Sequence, residues 1–362
     1  MKETVVVGMS GGVDSSVAAY LLKEQGYNVI GVTMQIWQDE DVCTLEHEGG
    51  CCGLSAVDDA RRVADVLEIP YYVMNFKQEF QTNVIDYFVR EYQAGRTPNP
   101  CIACNRYVKW ESLLQRSIEI GADYIATGHY ARIRQLPNGR YAIANSVTAR
   151  KDQTYALYNL TQEQLRRTLM PVGEYEKERV RQIAEEVGLP VAHKPDSMEI
   201  CFVPDGDYAS YIEQATGKPS VPGNFVDVNG HILGQHKGII HYTVGQRKGL
   251  GLALGYPAFV VQIRPETNEV VIGSLEHNLS HHVYAREMNF MGEEMFDENA
   301  VYQGKIRYNH AGAACHIVRR ADDLYECIFE EPQRGVTPGQ ALVLYRDGIV
   351  AGGGTICRPE TE

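Results

Sequence analysis

Two groups of residues in this 362-residue chain are of the types and spacings that do chemistry. The first is Gly8-Met9-Ser10-Gly11-Gly12-Val13-Asp14-Ser15. Its glycines let backbone amides approach an oxyanion closely, and its serines add hydroxyl donors. No lysine lies in the stretch, so amides and hydroxyls are left to hold a phosphate, and Asp14 is a candidate ligand for a Mg2+ ion that neutralises it. The second group is thiols. Nine cysteines are present, an odd number in a long chain, which argues for thiol chemistry or a metal rather than a disulfide framework. Cys101 and Cys104 form a C-x-x-C, a spacing compatible with redox exchange, zinc, an iron–sulfur cluster or no chemistry at all. Cys201 stands alone in an irregular stretch. Cys43, Cys51 and Cys52 fall in an acidic loop, and adjacent cysteines rarely chelate one metal together.

The elements around these residues follow from periodicity. Val5-Val6-Val7 reads as a strand, and Val17, Ala18, Leu21 and Leu22 lie at helical spacing in a helix closed by Gly26. A helix start after a glycine turn presents unpaired N–H groups and a positive dipole end, which suits an anion. Val29–Met34 reads as a strand. Ser55 is expected to cap a helix through Leu67, followed by a strand at Tyr71–Phe76 and a helix with Phe80, Val84, Ile85, Phe88 and Tyr92 on its inner stripe. Pro98 and Pro100 predict an extended loop over Thr97–Asn105. A helix around Val108, Leu113, Leu114 and Ile118 then leads to a strand at Tyr124–Thr127. Further helices are expected over Gln162–Leu169 and Glu176–Val187. Alternating strands and helices predict an α/β doubly wound parallel sheet, whose ligands sit beyond the carboxyl ends of the strands. Gly8–Ser15, Met34, Cys101–Asn105 and Gly128-His129 should share that crevice.

From about Gly206 the texture changes to short β-rich pieces, with strands expected at Phe225–Val228, Ile239–Val244, Phe259–Ile263 and Val270–Ile272. Gly304–Tyr308, Cys315–Val318, Tyr325–Phe329 and Ala341–Leu344 suit a small barrel. The expected organisation is three domains: 1–205 with the parallel sheet, a small β-rich central domain at 206–276, and a C-terminal β-barrel at 277–362. No signal peptide and no membrane-length apolar run is seen, so a cytoplasmic protein is expected. A net charge of −13 counts against an extended nucleic-acid coat and leaves room for a local basic face. Candidates for that face are Arg90, Arg96, Arg106 and Lys109, or Arg132, Arg134, Lys151, Arg166 and Arg167.

The loop lacks the Lys-Ser/Thr of a Walker motif and the spacing of a dinucleotide fingerprint. Ser10 to Ser15 spell S-G-G-x-D-S, which resembles the PP-loop of the N-type ATP pyrophosphatases, with their adenine nucleotide alpha hydrolase-like fold. Those enzymes cut ATP between its α and β phosphates and leave an adenylated substrate. Gly95-Arg96-Thr97-Pro98-Asn99-Pro100, Ala126-Thr127-Gly128-His129-Tyr130, Lys151-Asp152-Gln153, Ile200-Cys201-Phe202, Gly245-Gln246-Arg247-Lys248-Gly249 and Thr337-Pro338-Gly339-Gln340 follow in order. Together these motifs resemble the bacterial tRNA-specific 2-thiouridylases across essentially the whole chain.

The resemblance implies ATP-dependent replacement of the C2 oxygen of a wobble uridine by sulfur. It implies ATP contacts at Gly8, Met9, Ser10, Gly11, Gly12, Val13, Asp14, Ser15, Met34 and Gly128, with Cys104 as nucleophile and Cys201 carrying a persulfide. It places Asn99, Pro100 and Cys101 at the target base, and tRNA contacts at His129, Lys151, Asp152, Gln153, Arg307, Tyr308 and Gln340. Its implied partners are the Lys, Glu and Gln tRNAs and a sulfur-donor protein, with the chain itself a monomer. Lys194 or Arg106 would lower the pKa of the attacking thiol. The relay leaves a Cys104–Cys201 disulfide to be reduced. Many members carry Asp at the position of Cys101, and the change opens an alternative in which Cys101, Cys104 and Cys201 hold a [4Fe–4S] cluster. Two further readings stand beside these: an amide-forming PP-loop ligase, which has no need of Cys104 and Cys201, and a non-enzymatic RNA-binding module, which has no need of the complete loop.

Overall fold

A computed structural model describes residues 2–36, 54–196 and 200–359. Expectations placed on Cys43, Cys51, Cys52 and Ser197–Glu199 lie outside them. The chain divides into two compact units, one of Met1–Val84, Cys101–Gly206 and Gly348–Val350, the other of Ile85–Pro100, Asp207–Asp347 and Ala351–Glu362.

In the first unit, β1 (Thr4–Gly8), β2 (Asn28–Gln35), β3 (Tyr71–Asn75) and β4 (Tyr124–Ala126) precede a hairpin of β5 (Ala131–Gln135) and β6 (Tyr141–Asn145), then β7 (Thr168–Leu169). The sheet order is β3-β2-β1-β4-β7 and every pairing is parallel. Val5, Val6 and Val7 are fully buried, as a β-branched strand covered on both faces should be. Against Val5 and Val7 pack Val17 and Leu22 of α1 (Val13–Glu24), Ala60 and Val63 of α2 (Leu54–Val66), and Val180, Ile183 and Ala184 of the helix Lys177–Glu186. The chain reverses direction across the sheet between β1 and β4, so their carboxyl ends open the crevice in which ligands bind.

The second unit holds a four-stranded sheet of order β10-β11-β8-β9, from β8 (Gly223–Val226), β9 (Ile232–His236), β10 (Phe259–Arg264) and β11 (Glu269–Gly273). Phe225, Tyr242, Val260, Ile263, Val270 and Ile272 form its core. The same unit holds an antiparallel barrel of β12 (Leu279–Phe290), β13 (Tyr302–Lys305), β14 (Ala313–Ala321), β15 (Leu324–Arg334), β16 (Ala341–Arg346) and β17 (Ile349–Cys357). Its order is β12-β15-β14-β13-β16-β17, and pairing of β12 with β17 closes it. Closure leaves no exposed edge. Among the described residues no helix is long and apolar enough to cross a membrane.

Four local expectations fail. Ser55 is not a cap, because α2 already begins at Leu54. The loop expected over Thr97–Asn105 turns helical at Pro100: Pro100–Ala103 is α-helical and Cys104–Leu113 is π-helical. Proline's fixed φ and missing N–H suit the first helical position, so Pro100 starts this helix rather than forbidding it. The helix at Gln162 stops at Arg166, and Thr168-Leu169 joins the sheet beside β4. Buried Thr168 is held there because its hydroxyl accepts from the Trp110 indole at 2.8 Å and donates to the Gln164 carbonyl. Ile239–His241 forms a 3-10 turn where a strand was expected, while the helix Tyr208–Thr216 was not anticipated.

Candidate active site

The glycine-rich loop, the candidate nucleotide loop, leaves β1 at Gly8 and enters α1 at Val13. Its start is bonded to the neighbouring strand: the Met9 N–H donates to the Val32 carbonyl at 2.8 Å, and the Thr33 hydroxyl donates to the Met9 carbonyl at 2.8 Å. Gly11 has φ +67° and a Cβ there would lie 2.4 Å from the Ala56 carbonyl oxygen, so only glycine fits. The serine side chains close the turn. The Ser10 N–H donates to Ser15 Oγ at 3.2 Å, and the Ser16 hydroxyl donates to the Gly12 carbonyl at 2.8 Å. A Cβ on Gly128, just past β4, would lie 2.5 Å from the Ser15 nitrogen, which puts Gly128 directly against the start of α1. Gly8–Ser15 and Gly128 therefore form one surface, and Met34 lies on the adjoining strand β2.

Charges converge on this loop from distant parts of the sequence. Asp14 Oδ1 accepts from the Tyr130 hydroxyl at 2.6 Å and from Lys177 Nζ at 2.7 Å, while Oδ2 accepts from Lys177 at 2.9 Å. Lys177 also pairs with Asp196 at 2.9 Å, and Asp196 is bonded by Lys151 at 2.8 Å and Arg181 at 2.9 Å. Burial alone would raise the Asp196 pKa, but hydrogen bonds from Lys151 and Lys177 and their charges draw it down to about 2. Burial, then the Asp14 carboxylate, pushes the Tyr130 phenol far up, so it stays a donor. Lys194 donates to the Gly11 carbonyl at 3.1 Å and pairs with Asp59 at 2.7 Å. Sequence reasoning missed Lys177 and Asp196. One signal was available: a lysine at the first position of a helix opposes the macrodipole and implies a specific anionic partner.

The thiols are placed differently from expectation. Cys101 is exposed on the short α-helix, and half-buried Cys104 opens the π-helix. Such bulged turns recur at functional sites because they re-aim side chains. On that helix Lys109 donates to Asn105 Oδ1 at 2.8 Å and lies 3.5 Å from His129 Nε2, and Asn105 donates to the Ala156 carbonyl. His129 Nδ1 is 2.7 Å from the Thr127 hydroxyl. Because an ammonium only donates, Nε2 is the acceptor and Nδ1–H donates to Thr127. Burial first, then the Lys109 charge, holds His129 well below the usual histidine range, so it is neutral. The Lys109 bridge brings Asn105, the neighbour of Cys104, to the Gly128-His129 turn that abuts the nucleotide loop. Gln153 exchanges bonds with the Tyr130 backbone, its side chain accepting at 2.8 Å, and Asp152 accepts from the Ser146 N–H. Cys201 is half-buried. Arg106 stacks on the Tyr107 ring at 4.9 Å, and Lys194 is engaged at Gly11.

Among the described residues, no three His, Cys, Asp or Glu side chains are grouped to hold a metal ion. Cys101, Cys104 and Cys201 thus do not fit a [4Fe–4S] cluster in this arrangement. At Asp14, the other candidate ligand, the Lys177 ammonium lies against both carboxylate oxygens.

In the second unit the Gln340 amide donates to the Thr97 carbonyl at 2.9 Å and the Pro98 carbonyl at 3.3 Å, and the Thr97 N–H donates to the Pro338 carbonyl. Gln340 thereby fixes the backbone entering Asn99-Pro100. Beside it a cavity of about 540 Å³ is lined by Thr97, Gln246, Arg307, Arg334, Thr337 and Gln340, among others. Arg307 donates to the Arg334 carbonyl at 2.9 Å, and Tyr308 is largely exposed.

Family models match in the same order: the tRNA methyl transferase HUP domain over residues 3–205, the tRNA methyl transferase PRC-barrel domain over 210–274 and the aminomethyltransferase beta-barrel domain over 280–356. A tRNA-specific 2-thiouridylase MnmA of Lachnoclostridium phytofermentans is 71% identical over 98% of this chain and 99% of its own length. Proteins of the same name from Clostridioides difficile and Clostridium perfringens are 54% and 57% identical, each over 98% of both chains. The chain belongs to the tRNA-specific 2-thiouridylase family.

Proposed function

We propose that this protein is an ATP-dependent tRNA-uridine 2-sulfurtransferase that converts the wobble uridine of tRNA to 2-thiouridine. The observation that carries the reading is the continuity of the first unit's surface: nucleotide loop, Gly128-His129 turn, Lys109, and the helix that opens with Cys104. An adenylating site and a thiol-bearing helix joined in this way suit substitution at an activated carbonyl. A urea-like oxygen is a poor leaving group until it is adenylated, and the loop's amides, with the start of α1, supply the electrostatics for expelling pyrophosphate.

ATP enters as its Mg2+ complex, a substrate. The uridine O2 attacks the α-phosphate and pyrophosphate leaves. The terminal sulfur of a Cys201 persulfide is then delivered to C2 as Cys104 attacks Cys201 Sγ, AMP departs with the former oxygen, and a Cys104–Cys201 disulfide remains for a thiol reductant. Asn99, Pro100 and Cys101 meet the splayed base, while His129, Lys151–Gln153, Arg307-Tyr308 and Gln340 meet the tRNA. The tRNAs for Lys, Glu and Gln, a persulfide-donating protein, a monomeric cytoplasmic enzyme, and domains at 1–205, 206–276 and 277–362 complete the reading.

The test is mass spectrometry of nucleosides from tRNA incubated with the protein, ATP, Mg2+ and a persulfide-bearing sulfur donor that passes its outer, zero-valent sulfur to the Cys201 thiol. Expected is 2-thiouridine at the wobble position, lost in Cys104→Ser and Cys201→Ser variants whose circular dichroism matches wild type. Normal thiolation by either variant refutes the relay.

A further inference from the structure

Asp14 belongs to the loop motif, yet its carboxylate faces a nearly buried lysine contributed from 163 residues further along the chain. Lys177 is 8% exposed at its side chain and meets both Asp14 oxygens, and the Tyr130 hydroxyl donates to the nearer one. Lys177 is itself fixed by Asp196, which Arg181 and Lys151 hold from other sides. A carboxylate offers about four lone-pair sites, and Tyr130 and Lys177 take three of those on Asp14, which leaves one for a Mg2+ ion that would have to sit beside an ammonium in a near-ideal octahedral shell at about 2.0–2.1 Å.

We propose that Asp14 is the anchor of the nucleotide loop rather than a Mg2+ ligand, and that Lys177 is the positioning residue that holds it. The pair ties the first turn of α1 to the helix Lys177–Glu186, with the α1 amides aimed into the crevice. The phosphates then meet amides, the Ser10 and Ser15 hydroxyls and the surplus positive charge of the Lys151, Lys177 and Arg181 group. Mg2+ arrives and leaves on the nucleotide, with no protein carboxylate from this loop in its shell. The inference rests on the ATP reading above.

The two roles for Asp14 separate in a double-mutant cycle on the full-length protein with Asp14→Asn, Lys177→Met and the pair. If Asp14 is an anchor, each single variant raises the KM for ATP by roughly tenfold and the double variant is no worse than either, as for residues of one ion-pair network. The Mg2+ concentration giving half-maximal thiolation at fixed ATP stays at the wild-type value in all three, and Lys177→Arg restores the KM. Should Asp14→Asn raise the Mg2+ requirement while Lys177→Met leaves it unchanged or lowers it, Asp14 is a metal ligand and the proposal is overturned. Additive effects overturn it as well. Thermal unfolding of the same four proteins reads the coupling without ATP: non-additive losses support the anchor and additive losses refute it. A wild-type protein that does not use ATP would overturn the functional reading alone, since the unfolding cycle still decides the Asp14–Lys177 pairing. If Lys177→Met does not fold, Lys177→Gln takes its place in the same cycle.

Discussion

Replacing Gly11 with alanine tests whether the loop's shape, rather than its composition, makes the anion site. Two costs arise. At φ +67° an L-residue crowds its own carbonyl, at about 1–2 kcal/mol. The new methyl would also sit 2.4 Å from the Ala56 carbonyl oxygen and 2.7 Å from its Cα. These are backbone atoms of α2 that cannot swing aside, and overpacking of this kind costs about 1–3 kcal/mol. The expected loss is about 2–5 kcal/mol, which for a unit of some 200 residues lowers the unfolding temperature by about 5–15 °C. The glycine beside it provides the control. Gly12 is extended, with φ −104°, and its Cβ would meet only Ser10 Oγ at 3.5 Å, so Gly12→Ala should cost under about 1 kcal/mol. Differential scanning calorimetry of the three proteins, with and without ATP, is the assay. Gly11→Ala should lose both stability and the ATP-induced upward shift, and Gly12→Ala should keep its stability. Equal unfolding temperatures for Gly11→Ala and wild type would refute the reasoning.

Lys109→Met removes one of the two influences that keep His129 neutral. Its folded pKa lies below the unfolded value, so the contribution of the neutral ring is present above pH about 6.5 and is lost as pH falls below it. In the variant the His129 pKa should rise toward that value while burial still holds it below, read by NMR titration of the ring protons; an unchanged titration would contradict the influence of the Lys109 charge on the ring. Gln340→Ala removes two hydrogen bonds to the Thr97 and Pro98 carbonyls, a loss of about 1–2 kcal/mol to the second unit. It should raise the KM for tRNA while leaving the KM for ATP unchanged, and steady-state thiolation assays with each substrate varied would show it.

The sheet was legible because parallel strands covered on both faces are written as uninterrupted β-branched runs, and Val5-Val6-Val7 is one. Its helices were legible where one apolar face repeats, as with Ala60, Val63, Ala64 and Leu67. Reading failed where one residue type carries opposite meanings by position. Pro100 looks like a breaker in a Pro-x-Pro stretch and is instead a first helical residue, so Cys101 and Cys104 stand on a helix whose wide turn no periodicity announces. Thr168-Leu169 is too short to show a strand period, and only its neighbours in space define it. In the barrel, β17 hides behind Gly352-Gly353-Gly354, a sequence that by propensity reads as loop.

The site shows the same division between local and distant information. The loop motif is contiguous, so its turn could be read. Its electrostatics could not, because the partners of Asp14 are Tyr130 and Lys177, with Asp196 behind Lys177, and no spacing rule links them. Distant pairing also resolves the tension between a net charge of −13 and a nucleic-acid substrate. Several cations that look like a basic face in sequence are paired in place: Arg96 with Glu91, Arg134 with Glu174, and Arg166 and Arg167 with the one carboxylate of Glu163. Around Asp14 and Asp196, Lys151, Lys177 and Arg181 face two carboxylates. That group keeps one positive charge in surplus beside the loop. A tRNA bound to a surface on which several cations are already paired makes few ionic phosphate contacts. The logarithm of its affinity should therefore fall with the logarithm of salt at a slope of only a few units, and Arg307→Ala should reduce that slope by about one. A steep slope near ten would mean that the pairs seen here open on binding to release their cations.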